Sequence, residues 1–322
     1  MLMRRAWIVA FALIVGISGT ASAAGWPDKP IHAVIPFGPG SATDIIPRVV
    51  FDKLGALLGQ PIIVENKGGA GSTLGAGVVA KADPDGYTIL ATSSAHTIAP
   101  SLYSALSYDP ARDFATVGII GSSPNVLIIS PDKGLKTVQD FVAAAKAKPG
   151  TFTFASVGVG SAVHMSAERF RMSAGYEAVH VPFKGGAEAL TEVLAGRVDY
   201  YFCPIATALP LIRDGKLLAL AVSSRSRAAQ LPDVPTTLES GYKDSDYSFW
   251  IGVFAPAATP RDIVDKLNAE MIKAVQSPEV KEKLAALGVV PAALSPAAFD
   301  AQVKSEFVNN PAFAKAAGMK MN

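Results

Sequence analysis

The sequence predicts an α/β protein of two domains, each a mostly parallel sheet flanked by helices. Three observations carry this. Short apolar runs alternate along the chain with stretches of helical periodicity. The chain has 322 residues, too many for one modest core and well suited to two. A strand, a Gly-x-Gly-Ser turn and a helix recur in both halves, at Gly38-Pro39-Gly40-Ser41 and at Gly158-Val159-Gly160-Ser161.

The first segment is an export leader. Arg4 and Arg5 precede an apolar run from Ala6 to Ile17, and small residues follow up to Ala24. That run is shorter than the roughly 20 residues that span a bilayer, and it ends in an Ala-x-Ala cleavage pattern after Ala23. Residues 1–23 are therefore expected to be removed on passage to the periplasm. The full chain has 29 basic and 27 acidic residues, so loss of Arg4 and Arg5 leaves the mature chain formally neutral. Neutrality argues against nucleic acid or an anionic membrane as partner. Cys203 is the single cysteine, so the exported chain has no intrachain disulfide and rests on its apolar core.

Strands are expected at Ile31–Ile35, Pro61–Val64, Thr88–Ala91, Thr116–Gly121 and Val126–Ser130. A second series follows at Thr153–Ser156, Glu177–Pro182, Val198–Cys203 and Leu217–Ser223, and the last at Phe249–Ala255. Helices fill the gaps. Thr137 caps one that Lys148-Pro149-Gly150 stops. Between Pro260 and Gln276, Ile263, Leu267, Met271, Ala274 and Val275 form one apolar stripe. Gly288 stops the next helix, and Ser295-Pro296 begins another as N-cap and first residue. These last helices have no strands of their own and need the first sheet to lie on. The chain then leaves and re-enters its first domain, giving domain 1 as residues 24–122 with 252–322 and domain 2 as residues 123–251.

The glycine turns carry the chemistry. Glycines allow close approach to a ligand, and a helix start presents unpaired N–H groups with partial positive charge, which suits an anion. Ser41, Thr43 and Ser161 can add hydroxyl donors. A third cluster, Gly68-Gly69-Ala70-Gly71-Ser72-Thr73, follows the second strand. No Gly-Lys-Ser or Gly-Lys-Thr follows the loops, so they are not phosphate loops. A dinucleotide fingerprint is incomplete, because Thr43 stands at its third glycine. A secreted hydrolase using Ser161 and His164 lacks the Gly-x-Ser-x-Gly elbow. His32, His96, His164 and His180 are scattered without metal-ligand spacing. Neither cofactor nor metal is expected.

The motifs Trp26-Pro27-Asp28-Lys29-Pro30-Ile31, Pro36-Phe37-Gly38-Pro39-Gly40-Ser41-Ala42-Thr43-Asp44 and Val64-Glu65-Asn66 resemble the Bug-type family. These are periplasmic substrate-binding proteins of tripartite tricarboxylate transporters. The resemblance continues through Asp83-Pro84-Asp85-Gly86-Tyr87-Thr88, Pro100-Ser101-Leu102-Tyr103, His180-Val181-Pro182-Phe183-Lys184-Gly185 and Leu231-Pro232-Asp233-Val234-Pro235-Thr236. It implies a type II Venus-flytrap protein, not an enzyme, that closes as a monomer over a small organic carboxylate and delivers it to membrane permease subunits. The ligand would be a dicarboxylate or an aromatic carboxylate. Carried onto this chain, the first-domain ligand set is Phe37, Gly38, Ser41, Ala42, Thr43, Asp44, Ser93, Ala95 and His96. The second-domain set is Ser156, Gly160, Ser161, His164, Lys184, Gly185, Cys203 and Pro204. The alternative within this fold is a receptor that presents its ligand to a sensor kinase.

The chain departs from the family pattern at three places. Ser41 replaces a glycine, so a hydroxyl stands where backbone approached. Cys203 stands where an acid or amide is usual, which leaves the ligand's distal group apolar, aromatic or read by other residues. Phe307-Val308-Asn309-Asn310-Pro311 replaces an aromatic-rich helix and is expected to end that helix early.

Overall fold

The computed structural model describes residues 25–319. The expected leader, residues 1–23, lies outside the described residues.

Strand β1 (Ile31–Ile35) runs into α1 (Ala42–Leu58), β2 (Ile62–Asn66) leads to α2 (Thr73–Ala80), and β3 (Thr88–Ser93) to α3 (Ala95–Leu102). The long β4 (Phe114–Ile129) follows. Then come α4 (Val138–Ala147), β5 (Phe152–Ser156), α5 (Ala162–Ala174), β6 (Ala178–Pro182), α6 (Gly186–Leu194), β7 (Tyr200–Pro204), α7 (Ile205–Arg213) and β8 (Leu218–Val222). The chain returns through β9 (Ser248–Pro256) to α8 (Arg261–Gln276), α9 (Pro278–Ala286), β10 (Val290–Pro291) and α10 (Pro296–Ala316). Strand order is β2-β1-β3-β9-β4-β7-β5-β6, with β10 and β8 also paired to β4.

Pairing among β2, β1 and β3 is parallel, as it is among β6, β5 and β7. Around β4 and β9 it is antiparallel, so the sheets are mixed rather than mostly parallel. The reason is directional: β4 leaves the first sheet and β9 comes back, and two strands crossing in opposite senses pair antiparallel.

The expected strands Thr116–Gly121 and Val126–Ser130 are one strand, β4, and the residues between them, Ser122-Ser123-Pro124-Asn125, are of types common in turns. In the structure the strand continues through them and changes partners there. Up to Pro124 it pairs with β9; from Asn125 it pairs with β7 and from Val126 with β8. Proline brings no N–H to a ladder, which suits a partner change. Ser123 and Asn125 are buried and make bonds there, although Asn125 Oδ1 has no partner. Ser123 Oγ donates to the Gly288 carbonyl at 3.2 Å, the Asn125 amide donates to Ser223 Oγ at 2.9 Å, and Asn125 Nδ2 donates to Ser166 Oγ at 2.7 Å.

The last helices cover both faces of the first sheet. Ile263, Leu267 and Met271 of α8 join Ile31, Val50 and Ile251 in one core, while Phe299 and Val303 of α10 join Val34, Trp250 and Phe254 in another. Helix α10 does not stop at Asn310, as its proline suggests, but passes through Pro311 to Ala316. Tertiary contacts override the local break: Asn310 Nδ2 donates to Thr97 Oγ1 at 3.0 Å, and Ala314 and Ala317 pack against Ile98, Leu102 and Met165.

Candidate functional site

A small cavity of about 40 Å³ lies where the ends of β1, β3, β5, β6 and β7 feed into α1, α3, α5, α6 and α7. From the first sheet come Phe37, Ser41, Ala42, Thr43, Ser93 and Phe249; from the second come Val157, Ser161, Ala162, Val163, Gly186, Tyr201, Pro204 and Thr207. This wall contains no charged side chain. It consists of helix starts at the C-terminal ends of strands, where first-turn amides lack intrahelical acceptors and attract an anion. Room for about one carboxylate-sized group is what this volume supplies. Phe37 and Val157 also line a wider open cleft of about 590 Å³, together with Gly38, the Gly68–Ser72 loop, Tyr103 and Lys184.

The two glycine turns differ in how they are capped. Ser41 is the N-cap residue of α1, yet its side chain makes no capping bond, and its buried Oγ has no partner. Asp44 ties the turn down instead: its carboxylate accepts the Gly40 amide at 2.9 Å, Arg48 Nε at 2.8 Å and Asn66 Nδ2 at 2.9 Å. Burial pushes the Asp44 carboxyl up, but the bonds from Asn66, Gly40 and Arg48 outweigh it and hold the group below its usual range. Gly40 has φ +76°, which explains its glycine. In the second turn Ser161 is already engaged: its hydroxyl donates to the Gly158 carbonyl at 2.7 Å and accepts the His164 amide at 3.4 Å.

Of the residues expected at the site, Phe37, Ser41, Ala42, Thr43, Ser93, Ser161 and Pro204 share the small cavity, and Gly38 and Lys184 lie on the wider cleft. Asp44 sits behind the first turn. Ala95 packs in the first core. His96 is buried between Phe114 and Phe254, both 4.9 Å away, and burial pushes it down to about 4. Ser156 and His164 stand behind the second turn, and Gly160 packs against Leu102. Gly185 caps α6, one residue short of the cavity. Cys203 is a residue of β7 itself and is fully buried in the core, where burial pushes its thiol up. The His164 ring is not directed at Ser161: Nδ1 accepts the Gly160 amide at 3.1 Å, and Nε2 lies 3.7 Å from Glu168 Oε1. A serine nucleophile activated by that histidine is not assembled.

Sequence reasoning missed Val157, Ala162, Val163, Gly186, Tyr201, Thr207 and Phe249. Gly186 and Thr207 were findable, since each lies in the first turn of a helix after a strand. Phe249 carries no such signal, because it belongs to a crossing strand.

The sequence matches the family described as "Tripartite tricarboxylate transporter family receptor" over residues 46–316. The chain belongs to this family. Among solved structures, the periplasmic binding protein BugD is 33% identical with a TM-score of 0.87, covering 92% of this chain and 100% of its own. MatC from Rhodopseudomonas palustris, solved with bound malate, is 32% identical with a TM-score of 0.84, covering 89% of this chain and 99% of its own. An R. palustris protein solved with adipate is 30% identical with a TM-score of 0.88, covering 92% of this chain and 100% of its own. The α/β architecture of this receptor-family chain is that of periplasmic binding proteins of two domains.

Proposed function

We propose that this family member is a periplasmic solute-binding protein that captures an organic carboxylate between two domains and delivers it to a tripartite tricarboxylate transporter. One jaw would be residues 24–122 with 252–322 and the other residues 123–251, hinged where β4 and β9 cross. The observation that carries the reading is the unpartnered, buried Ser41 hydroxyl at a helix start, in a wall of first-turn amides without a charged side chain. The malate and adipate bound to relatives support a dicarboxylate, and Phe37, Tyr201 and Phe249 in the wall suit a ligand with a partly apolar or aromatic body.

The energies are sufficient without an arginine. Five or six hydrogen bonds to a charged group, at about 1.5–3 kcal/mol each, total on the order of 8–18 kcal/mol. Association costs roughly 4–15 kcal/mol, and a micromolar ligand needs about 8 kcal/mol net. The site therefore reaches useful affinity only with preformed loops and excluded water, which leaves release to a permease open.

Thermal melts across a panel of dicarboxylates and aromatic carboxylates test the reading. A true ligand at 100 times its Kd stabilises by about 2.7 kcal/mol. An unchanged melting temperature across the panel, with no carboxylate co-purifying by mass spectrometry, overturns it. Deletion of the gene should abolish uptake of the ligand, and intact uptake refutes the transport role.

A further inference from the structure

Behind the second turn, the buried imidazole of His164 on α5 and the half-buried one of His180 on β6 lie face to face, with ring centroids 3.9 Å apart and planes 9° from parallel. Each is wired to the turn. The Gly160 N–H can only donate, so His164 Nδ1, 3.1 Å away, is an acceptor and the ring proton sits on Nε2, toward Glu168. His180 Nε2 lies 2.6 Å from Ser156 Oγ, which in turn accepts the Gly158 amide at 3.0 Å. The turn that ends in Ser161 thus hangs from a histidine pair at two successive glycines.

We propose that His164 and His180 are positioning residues for this turn: the acceptor at His164 Nδ1 and the bond between His180 and Ser156 hold it in the shape that receives the ligand. The bond exists only while that ring position offers an acceptor, and the face-to-face contact with His180 fixes the ring's plane. Burial and the neighbouring ring push His180 down to about 3.

The other groups around the pair are few. On α5, Arg171 donates to Glu168 through Nη2 at 2.6 Å and to the Ala317 carbonyl after α10 at 3.2 Å. Burial pushes the Glu168 carboxyl up, but His164 and Arg171 outweigh it and keep it ionised. From β5, uncharged Phe154 stacks on His180 at 5.0 Å. Beyond it, the Tyr176 and Tyr200 hydroxyls bond each other at 2.9 Å and stay neutral.

This inference rests on the carboxylate-binding reading, and the test separates the two. NMR of the ligand-free protein at pH 7.5 should show the His164 Nε2–H tautomer, with Nδ1 accepting the Gly160 amide. A His164 ring with its proton on Nδ1 overturns the proposal even if carboxylates bind. Where no carboxylate binds any form, the functional reading falls, and the tautomer still decides the turn. With adipate or malate as ligand, His164→Asn keeps an acceptor and should bind within about threefold of wild type by calorimetry, while His164→Phe keeps none and should bind at least about fivefold more weakly than His164→Asn. A folded His164→Phe protein with wild-type affinity, or His164→Asn and His164→Phe proteins of equal affinity, refutes the proposal.

Discussion

Replacing Ser41 by alanine separates binding from stability. An N-cap serine ordinarily contributes about 1 kcal/mol to its helix by accepting a first-turn N–H. Ser41 makes no such bond, and Asp44 secures the turn in its place. Its hydroxyl is buried without a partner, so removing it takes away an unsatisfied polar group and leaves the fold intact. In the complex, the same hydroxyl would donate to the ligand carboxylate. Losing a hydrogen bond to a charged group costs about 1.5–3 kcal/mol, which is about a 10- to 150-fold rise in Kd. Calorimetry with a bound carboxylate, alongside a ligand-free melt, reads both quantities from one preparation. The expected result is a Kd raised at least about tenfold with a melting temperature equal to or slightly above wild type. A Kd within twofold of wild type shows that Ser41 does not touch the ligand. A lower melting temperature shows that the hydroxyl supports the fold instead.

Ser161→Ala should move both observables, because that hydroxyl caps α5 and bonds the Gly158 carbonyl; a loss of about 1 kcal/mol in stability and of about 1–3 kcal/mol in binding is expected, and unchanged calorimetry removes Ser161 from the site. Gly71→Ala should weaken binding about 5- to 30-fold by hindering the approach of the two loops. Gly71 has φ +59°, and an added Cβ would lie 2.7 Å from the Val159 carbonyl oxygen across the cleft; wild-type affinity with ligand-induced compaction in small-angle scattering refutes this. Glu306→Gln should raise the melting temperature at neutral pH. Burial holds the Glu306 carboxyl above its usual range despite bonds from Thr97, Trp250 and Gln302. An acid whose folded pKa is raised destabilises the fold at pH above that value, so the gain should disappear as pH falls below the unfolded carboxylate's. A gain that persists at pH 3 refutes the electrostatic account.

Strands and helices with one strong period were legible in the sequence because each needs only a local pattern. The stripe Ile263, Leu267, Met271 on α8 is an example. What local pattern hides is the tertiary context that overrides it. Ser123 and Asn125 look like turn residues, and only partners 98 and 165 positions away, Ser223 and Gly288, make them strand. Pro311 looks like a stop, and contacts from α3 and α5 carry the helix past it. That the two glycine turns face one cavity was legible, but the roles within them were not. Asp44 and His164 share the motif with Ser41 and Ser161, and no spacing distinguishes a residue that faces the cavity from one that holds the turn from behind.

That division of labour explains how a neutral cavity can suit an anion. Charged and titratable groups stand one layer back: Asp44 with Arg48 under the first turn, His164 with Glu168 and Arg171 under the second. They fix the turns, and the turns present amides and hydroxyls to the cavity. A charged residue in the wall would strengthen capture but would also have to be desolvated with the ligand gone and abandoned on release. Fixed dipoles avoid both costs, because the helix starts are oriented by folding itself. Their strength then depends on geometry rather than charge, which makes the supporting layer, and not the cavity wall, the place where affinity can be adjusted.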